Sequence, residues 1–516
     1  MDRHKIKIIL ILIVIVALAT FLRLFELAKS PPSLNWDEAS IGYNAYSLWQ
    51  TGRDQYGIRL PLSLKAFDNY QAALYAYLTA PIVGIFGLNE FNVRLVSAVS
   101  GILSVLLIYF VGKKISGRSD VGLIAAFLLA IEPYAIFFSH GAWDASLSLP
   151  LFLLAFLFLL EEYWTLAVLI CGINTLAYHS GKVYFGLVII YVLIIALQKK
   201  LPRKLLVRIG LIFGAVTVMT FVSGGAARLS YTVITRLWNS QTSFYEKVAD
   251  VTNHYVSYYN PANLFVREST EPSQRVPGWS VFYPLEFVGW IVGIYWLFKN
   301  YRKQKLLLAS FFLLSVPAVI TINWFNAERV LPLWAINTIL IAIGFESIFW
   351  RTKTDWKKYS AMIIFVGYFL IITAWFYLKF IWVLPYQQFG DWQWGFREIA
   401  ASIQAKWEKA DHVIIDTAQG QPHIFTLLYL KYPPEQYQKE VNLQKPPNFG
   451  KFEFRKINWA KDSLMPNTIL VGDFFSIPNE VNYTPISDPA GFVQYRVIET
   501  DKCVSGYNLC RGEKKK

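Results

Sequence analysis

Long hydrophobic runs, each close to the ~20 residues that cross a bilayer, alternate along the chain with short polar connections. About eleven such runs are present, and we expect each to form a membrane-spanning helix. Their first residues are Ile6, Val93, Val121, Ala145, Thr165, Val183, Leu205, Val281, Leu306, Val330 and Ser360. The pattern predicts a polytopic α-helical membrane protein.

Basic residues are concentrated in every second connection, which sets the expected orientation. If the N-terminus is cytoplasmic, most cytoplasmic connections are rich in Lys and Arg, as the positive-inside rule requires. The turn at Glu161 and Glu162 is the exception, because it falls on the same side and carries no basic residue. The connections that follow the rule include Lys113/Lys114/Arg118, Lys199/Lys200/Arg203/Lys204, Lys299/Arg302/Lys303/Lys305 and Arg351/Lys353/Lys357/Lys358. We therefore expect a multi-pass protein of the plasma (inner) membrane.

The composition agrees with this pattern and narrows the class of protein. Hydrophobic residues make up 55% of the 516 positions and charged residues only 16%, whereas soluble proteins carry about a quarter charged residues. A disordered chain, a nucleic-acid-binding module and a disulfide-rich miniprotein are excluded. Much of the net charge of +14 belongs to the basic connections, so it reports topology rather than a partner. The first run, Ile6 to Leu27, lacks a small-residue cleavage site and is expected to be a retained anchor.

The longer polar segments are expected outside the cytoplasm, in loops at about residues 29–92 and 224–280 and in the tail. Within the first loop, Ile41, Ala45, Leu48 and Trp49 form an apolar helical stripe. They predict a helix over residues 37–50 on the membrane surface, with Gly52 as its stop. The apolar stretch 69–86 contains a proline and two nearby glycines, so we expect an interfacial or re-entrant helix there.

The tail, residues 386–516, is predicted to be a separate extracytoplasmic soluble domain of α/β or α+β type, following a transmembrane domain at 1–385. Residues 391–407 have helical spacing, and residues 412–417, 468–471 and 492–498 have strand patterns. Cys503 and Cys510 lie on the oxidising side and are predicted to form a disulfide, with two free thiols as the alternative. Cys171 lies inside a predicted span and is expected only to pack.

Three carboxylates are candidates for chemistry at the outer surface. Asp37 and Glu38 stand at the start of the surface helix, where the alternative role is stabilisation of free N–H groups. Asp144 stands at the outer end of the fourth span. A carboxylate that enters hydrocarbon costs free energy, so such a residue is a candidate functional residue by default. Its alternative role is that of a helix N-cap. We expect a fourth acid, Glu132, to be interfacial.

Basic residues recur at the outward ends of spans, against the positive-inside trend. Lys182, with His179 beside it, and Arg329 are candidates for binding a lipid phosphate. The alternatives are snorkelling to headgroups and, for Arg329, pairing with Glu328. His179 is also explained as a satisfied interfacial residue, and nothing has the spacing of a zinc site, so no metal is predicted.

The layout resembles the GT-C glycosyltransferases of the protein O-mannosyltransferase and aminoarabinose-transferase type, family 39. The resemblance covers roughly residues 5–350 and follows the family's order. It rests on Trp36-Asp37-Glu38 after the first span and on the segments GRDQYGIRLP (52–61), LYAYLTAP (74–81), FGLNEFNVRL (86–95) and RVLP (329–332).

The resemblance implies an inverting transferase that takes a sugar from a polyprenyl-phosphate donor. Asp37 would match the catalytic acid, with Glu38 beside it, and Asp144 would match a second acid. Arg329 would match the arginine of an Arg-Tyr-x-x-Pro segment, and Lys182 is matched by region. The family's Lys-Pro-Pro or His-Pro-Pro run is replaced here by residues 70–72, Tyr-Gln-Ala, with Lys65 as a substitute.

The implied partners are the donor lipid, membrane lipids and a protein, lipid or polysaccharide acceptor, with no cofactor and no nucleic acid. Two other classes stay open from the sequence. A transporter or flippase of a lipid-linked sugar would place ionisable residues deep within the spans and show an internal repeat, and no repeat is visible. A catalytically silent membrane scaffold would tolerate neutralisation of Asp37, Asp144 and Arg329 together.

Overall fold

The computed structural model describes residues 3–67, 69–222, 243–269, 271–321, 324–350, 355–418, 420–441 and 446–500. It divides into two compact units. The first comprises the chain up to Leu27, residues 62–75 and residues 94–380. The second comprises residues 28–61, residues 76–93 and the chain from Ile381. Cys503, Cys510 and the predicted loop residues 224–242 lie outside the described residues.

The helices of the membrane part run as follows: α1 Arg3–Leu24, α2 Trp36–Thr51, α3 Leu74–Phe86, α4 Glu90–Ser116, α5 Ser119–Ile131, α6 Pro133–His140, α7 Asp144–Leu160, α8 Trp164–Asn174, α9 Ser180–Lys199, α10 Arg203–Val222, α11 Phe244–Ser257, α12 Pro261–Phe265, α13 Glu286–Lys299, α14 Lys305–Leu313, α15 Val316–Val319, α16 Leu331–Trp350 and α17 Asp355–Leu378. Short 3₁₀ turns cover Pro272–Gln274 and Glu328–Val330, and a π-helical turn covers Lys379–Val383.

Among the described residues, six helices are long and apolar enough to cross a membrane. They correspond to the predicted runs that begin at Ile6, Val93, Val183, Leu205, Val330 and Ser360. Helices α5 and α6 are bent by 55° where they meet, and they add a seventh span if the bent pair is counted as one. The other four predicted runs fall in α7, α8, α13 and α14, which have 9 to 17 residues. The eleven predicted spans outnumber the long helices because these four helices end at turns before they reach spanning length.

Helices α13 and α16 pack with their backbones in close contact. A Cβ atom added to Gly293 would lie 2.0 Å from the carbonyl oxygen of Leu340, and one added to Gly344 would lie 1.9 Å from that of Gly289. Gly289 and Gly293 form the small-xxx-small spacing that allows membrane helices to approach closely. Any larger side chain at Gly293 would force the two helices apart.

The acidic turn at Glu161 and Glu162 is bound by lysines of two other connections. Lys114 Nζ lies 2.7 Å from Glu161 Oε2, and Lys199 Nζ lies 2.5 Å from Glu162 Oε1. The turn therefore lies at the same end of the first unit as the basic connections after α4 and α9. This explains how the one connection without Lys or Arg fits the charge pattern.

The tail forms a mixed sheet. The strands of the described chain are β1 Ser63–Ala66, β2 Asn69–Ala72, β3 His412–Ile415, β4 Phe452–Phe454, β5 Thr468–Gly472, β6 Thr484–Ser487 and β7 Val493–Thr500. In the tail, three parallel strands are followed by two antiparallel ones, in the order β4-β3-β5-β7-β6, and a separate hairpin in the first unit pairs β1 with β2. The predicted strands at 412–417, 468–471 and 492–498 are present.

Short helices cover the sheet and complete the tail. Phe396 and Ile403, on the helix predicted at 391–407, are buried, and the Phe396 ring stacks on Phe425 at 4.5 Å. Ile414, Leu470 and Ile498 form the centre of the core on the sheet. The tail helices are α18 Leu384–Gln387, α19 Phe396–Gln404, α20 Pro422–Tyr429, α21 Pro434–Glu440 and α22 Trp459–Asp462, with a 3₁₀ turn at Trp407–Lys409.

His423, on α20, predicts acid sensitivity of this domain. Burial lowers the pKa of its imidazole from 6.5 to about 3. Below pH ~6.5 the unfolded chain binds a proton at His423 and the folded domain does not. The contribution of neutral His423 to the free energy of unfolding is therefore fully present above that pH. It is lost as the pH falls toward 3, at about 1.4 kcal/mol per pH unit.

Hydrogen exchange of the β3 and β5 amides in the full-length protein, corrected for intrinsic rates, measures this loss. We expect His423→Leu to flatten the pH dependence between about pH 4 and 6.5. An unchanged slope in that variant would assign the acid sensitivity to other groups.

Candidate active site

The first predicted acids lie at the start of α2, where a capping box fixes the helix end. Asn35 Oδ1 accepts the Glu38 N–H at 2.9 Å, and Glu38 Oε2 accepts the Asn35 N–H at 2.9 Å. Glu38 is completely buried, whereas Asp37 is half-exposed. The geometry gives Glu38 the structural task of a capping box and leaves Asp37 at the surface of the second unit.

Segments of the tail hold α2 in place within the second unit. The hydroxyl of Tyr43 donates to the Tyr432 carbonyl at 2.9 Å. Gln438 Nε2 lies 3.1 Å from both Ser47 Oγ and Thr51 Oγ1. The predicted bounds of α2 and its stop at Gly52, in the left-handed conformation with φ 66°, are confirmed. Helices α20 and α21 pack against α2, and polar positions such as Ser47 are buried as well as the apolar stripe.

Asp144 opens α7 in the first unit. The N-cap is Trp143, whose side chain makes no capping hydrogen bond, so Asp144 is not the N-cap that was the alternative. A tight turn precedes it, in which the Trp143 N–H donates to the Gly141 carbonyl at 2.8 Å. A Cβ atom on Gly141 would lie 2.3 Å from the Trp143 indole nitrogen, so this turn requires glycine. The turn leaves Asp144 half-exposed at the end of a helix whose dipole favours negative charge.

The predicted phosphate-binding residues lie near one another in the first unit. Lys182 Nζ lies 3.0 Å from His179 Nδ1, and His179 Nε2 lies 2.9 Å from the Tyr70 carbonyl oxygen. If the ammonium donates to Nδ1, the other ring nitrogen carries the proton and donates to Tyr70. Tyr70 pairs with Lys65 across the β1–β2 hairpin. The hairpin thus brings the segment that departs from the family pattern to the start of α9.

The backbone of Arg329 is tied to the same helix. Its carbonyl oxygen accepts hydrogen bonds from Ser180 Oγ at 3.1 Å and from the Tyr184 hydroxyl at 3.0 Å. The neighbouring Glu328 carboxylate accepts a hydrogen bond from Gln274 Nε2 at 2.7 Å. We refer to Lys65, His179, Lys182 and Arg329 as the basic cluster. Asp37 and Glu38 belong to the second unit, and Asp144 and the basic cluster belong to the first.

Sequence reasoning missed a buried polar group around the bend between α5 and α6. Glu132 is completely buried, so its expected interfacial position is wrong. Its partners come from other helices, among them Thr338 and the buried Arg23. The signals were present, since Arg23 interrupts the first hydrophobic run and Glu132 precedes a proline within the third.

The residues that the structure describes contain no group of three or more His, Cys, Asp or Glu side chains arranged to hold a metal ion.

Part of the sequence matches a known protein family. Residues 71–224 match the family model described as dolichyl-phosphate-mannose-protein mannosyltransferase. No protein of curated function matches the sequence.

Solved structures extend the similarity to nearly the whole chain. ArnT from Cupriavidus metallidurans in the apo state superimposes with a TM-score of 0.56 at 12% identity, over 94% of this chain and 97% of that one. The chain has the GT-C fold. ArnT bound to undecaprenyl phosphate gives the same score and identity, over 96% and 99% of the two chains.

The oligosaccharyltransferase AglB from Archaeoglobus fulgidus, in complex with an inhibitory peptide and a dolichol-phosphate, is also similar. It gives a TM-score of 0.52 at 13% identity, over 83% of this chain and 64% of that one. The fold class and the family resemblance expected from the sequence are confirmed by these matches.

Proposed function

We propose that this protein is an inverting glycosyltransferase of the membrane. It would take a sugar from a polyprenyl-phosphate donor and transfer it to an acceptor hydroxyl on the extracytoplasmic side. The family match supports glycosyl transfer, and similar folds bind undecaprenyl phosphate in ArnT and dolichol phosphate in AglB. The observation that carries the proposal is an apolar groove lined by Tyr184, whose hydroxyl donates a hydrogen bond to the backbone of Arg329.

The groove lies between α7, α9 and α14 within the first unit. About 630 Å³ of space not filled by atoms lies along it, including the part that is open to the surroundings. Its walls are almost entirely hydrophobic and include Phe152, Phe156, Val188, Leu306 and Leu313. An apolar chain fits such a groove, because burying hydrocarbon against hydrocarbon removes no polar group from water.

Tyr184 connects the groove to the basic cluster. Its ring lines the groove, while its hydroxyl donates to the Arg329 carbonyl at 3.0 Å. An amphiphile with a long apolar tail and one anionic headgroup would therefore find both of its parts recognised, the tail by the groove and the phosphate by Lys182 and Arg329. Polyprenyl phosphate has this composition.

The proposed chemistry is a single displacement at the anomeric carbon. Asp37 accepts the proton of the acceptor hydroxyl as its oxygen forms the new glycosidic bond. The bond between the anomeric carbon and the phosphate oxygen breaks, and its electron pair stays on that oxygen. Arg329 and Lys182 stabilise the charge that develops there, His179 orients the Lys182 ammonium, and Asp144 orients sugar or acceptor hydroxyls.

The proposal includes a topology and a range of acceptors. The protein is an integral membrane protein, and we infer a cytoplasmic N-terminus with the tail on the outer side, from the distribution of basic residues. Protein, lipid and polysaccharide hydroxyls suit the displacement equally. The groove would contact only the lipid part of the donor, so it does not select the sugar.

Filling the groove tests the proposal. We expect Ala309→Trp, on α14, to reduce transfer from a long-chain polyprenyl-phosphate sugar at least tenfold in proteoliposomes, because the indole occupies the path of the tail. A short-chain donor analogue should be affected much less. Gly214→Trp on α10 is the matched control, since a side chain there meets no atom within 4 Å.

Each outcome has a defined meaning. If the wild-type protein transfers no sugar from any of a panel of polyprenyl donors but moves them across the bilayer, the transferase proposal is wrong and the protein is a flippase. Equal losses in Ala309→Trp and Gly214→Trp would remove the groove from the proposal.

A further inference from the structure

The bend between α5 and α6 leaves backbone carbonyls that other helices satisfy. Pro133 has no N–H to donate to the Leu129 carbonyl one turn earlier. Arg23, from α1, donates instead: its Nη2 lies 2.9 Å from the Leu129 oxygen and its Nη1 lies 2.9 Å from the Ala130 oxygen. The Tyr283 hydroxyl donates to the Ile131 oxygen at 2.9 Å. The end of α5 is thus capped by a buried cation, which its dipole favours.

Two carboxyl groups meet next to this cap. Glu132 and Glu286 are both completely buried. Both Glu132 oxygens lie 2.9 Å from Thr338 Oγ1, and Glu286 Oε2 accepts the Tyr283 N–H at 2.6 Å. The two carboxyl groups lie within hydrogen-bonding distance of each other. Within the described part of the chain, Glu286 Oε1 has no hydrogen-bond donor.

A hydrogen bond between two carboxyl groups requires a proton, since an ionised carboxylate only accepts. Charge balance gives the number of protons. Arg23 contributes one positive charge, so a pair that holds one proton and one negative charge makes the buried group neutral. Two ionised carboxylates would add an uncompensated buried charge, which is costly. The other titratable groups that face the pair are the phenols of Tyr134, Tyr283 and Tyr368.

The bend sets the direction of α6, and α6 leads to Asp144. His140, the last residue of α6, lies with Nε2 2.8 Å from the Leu22 carbonyl oxygen of α1. Ser146 Oγ, in the first turn of α7, donates to the Phe138 carbonyl of α6. Phe138 also packs edge-on against Trp143 at 5.9 Å. Because α6 is hydrogen-bonded to α1 at His140 and to α7 at Phe138, a change in the direction of α6 moves Asp144 at the start of α7.

We propose that Glu132 and Glu286 share one proton and, together with Arg23, act as positioning residues that fix the α5–α6 bend and thereby place Asp144. The inference rests on the proposed function only for the role of Asp144. The protonated pair itself is a property of the fold.

Substitutions that keep or remove the hydrogen bond between Glu132 and Glu286 test the positioning role. Glu132→Gln supplies an N–H in place of the shared proton, so we expect kcat within about threefold of wild type. Glu132→Ala removes the pair, and we expect kcat to fall at least tenfold with KM for the donor nearly unchanged. Glu346→Ala is the matched control. Glu346 is a buried acid on α16 that pairs with Arg118 at 2.5 Å, far along the helix from Thr338, and it should leave kcat unchanged.

Infrared spectroscopy tests the proton without any activity measurement. The wild-type protein should show the carbonyl stretch of a protonated carboxylic acid that shifts in D₂O, and both Glu132→Gln and Glu286→Gln should lack it. Hydrogen exchange over residues 133–144 should rise in Glu132→Ala and not in Glu132→Gln.

The outcomes are distinguishable. A wild-type spectrum without the protonated band overturns the shared proton. Glu132→Gln as impaired as Glu132→Ala, or Glu132→Ala with wild-type kcat, overturns the positioning role. A wild type without transferase activity overturns the proposed function, while the spectra and exchange rates still decide the rest.

Discussion

Asp37→Asn is expected to reduce kcat for sugar transfer by ~10²–10⁴, the largest loss of any single substitution proposed for this protein. The amide has the shape of the carboxylate and cannot accept the proton of the acceptor hydroxyl. Asp37 is half-exposed at the first turn of α2, so the substitution leaves the packing of the helix intact. Transfer in proteoliposomes and equilibrium binding of the donor are the two measurements, and binding should be unchanged.

Glu38→Gln is the matched control for Asp37→Asn. Glutamine can also accept the Asn35 N–H, so the capping box survives, and we expect Glu38→Gln to retain most of the activity. An Asp37→Asn protein with wild-type kcat would remove Asp37 from proton transfer. A Glu38→Gln protein that loses transfer, with Asp37→Asn active, would move the base to Glu38.

Arg329→Ala is expected to lower kcat by ~10²–10³, the range measured when a donor that stabilises developing negative charge is removed. The substitution keeps the backbone bonds to Ser180 and Tyr184, because these end on the Arg329 carbonyl oxygen. Arg329→Lys should recover part of the loss, since it keeps the charge without the planar fork.

Arg267→Ala serves as the control for Arg329→Ala. Arg267 is an exposed arginine after α12, and we expect no change in kcat when it is replaced. If both variants reduce transfer equally, the effect comes from the general positive charge of the surface, and raising the salt concentration would then abolish it.

Local signals predicted the parts of the fold that local physics determines. The stripe from Ile41 to Trp49 gave the bounds of α2, because periodicity and a left-handed glycine are both encoded within a few residues. The hydrophobic strands of the tail sheet, β3, β5 and β7, were predicted in the same way. Strands β4 and β6 were missed, because β4 has only three residues and β6, with the sequence TPIS, contains a proline and only one buried residue.

The parts that were not predicted depend on contacts between distant segments. Arg23 looks like a defect in the first hydrophobic run, and its use becomes visible only when Leu129 and Ala130, 106 and 107 residues away, need donors. Glu132 was expected at an interface because it precedes Pro133 near the end of the third span. Its burial depends on Glu286 and Thr338, which no local pattern connects to it.

The candidate site was predicted as a set of residue types rather than as an arrangement. Asp37, Asp144, Lys182 and Arg329 were selected because charges at the outer ends of spans need a reason. The contacts between these residues and their neighbours could not be predicted, because nothing in the sequence links Arg329 to Ser180, or Tyr70 to His179. Because sequence identity to ArnT and AglB is low, the resemblance rested on a few short segments and on their order.

The dependence of α2 on the tail has a consequence for the order in which the protein is made. Tyr43 and its partner Tyr432 are 389 residues apart, a distance that a ribosome takes about 20–80 s to translate. During that interval the helix that carries Asp37 has been synthesised without the segment that holds it. The contacts that hold the helix of the proposed base, Asp37, therefore form only near the end of synthesis. A chain released early would be anchored in the bilayer but incapable of transfer.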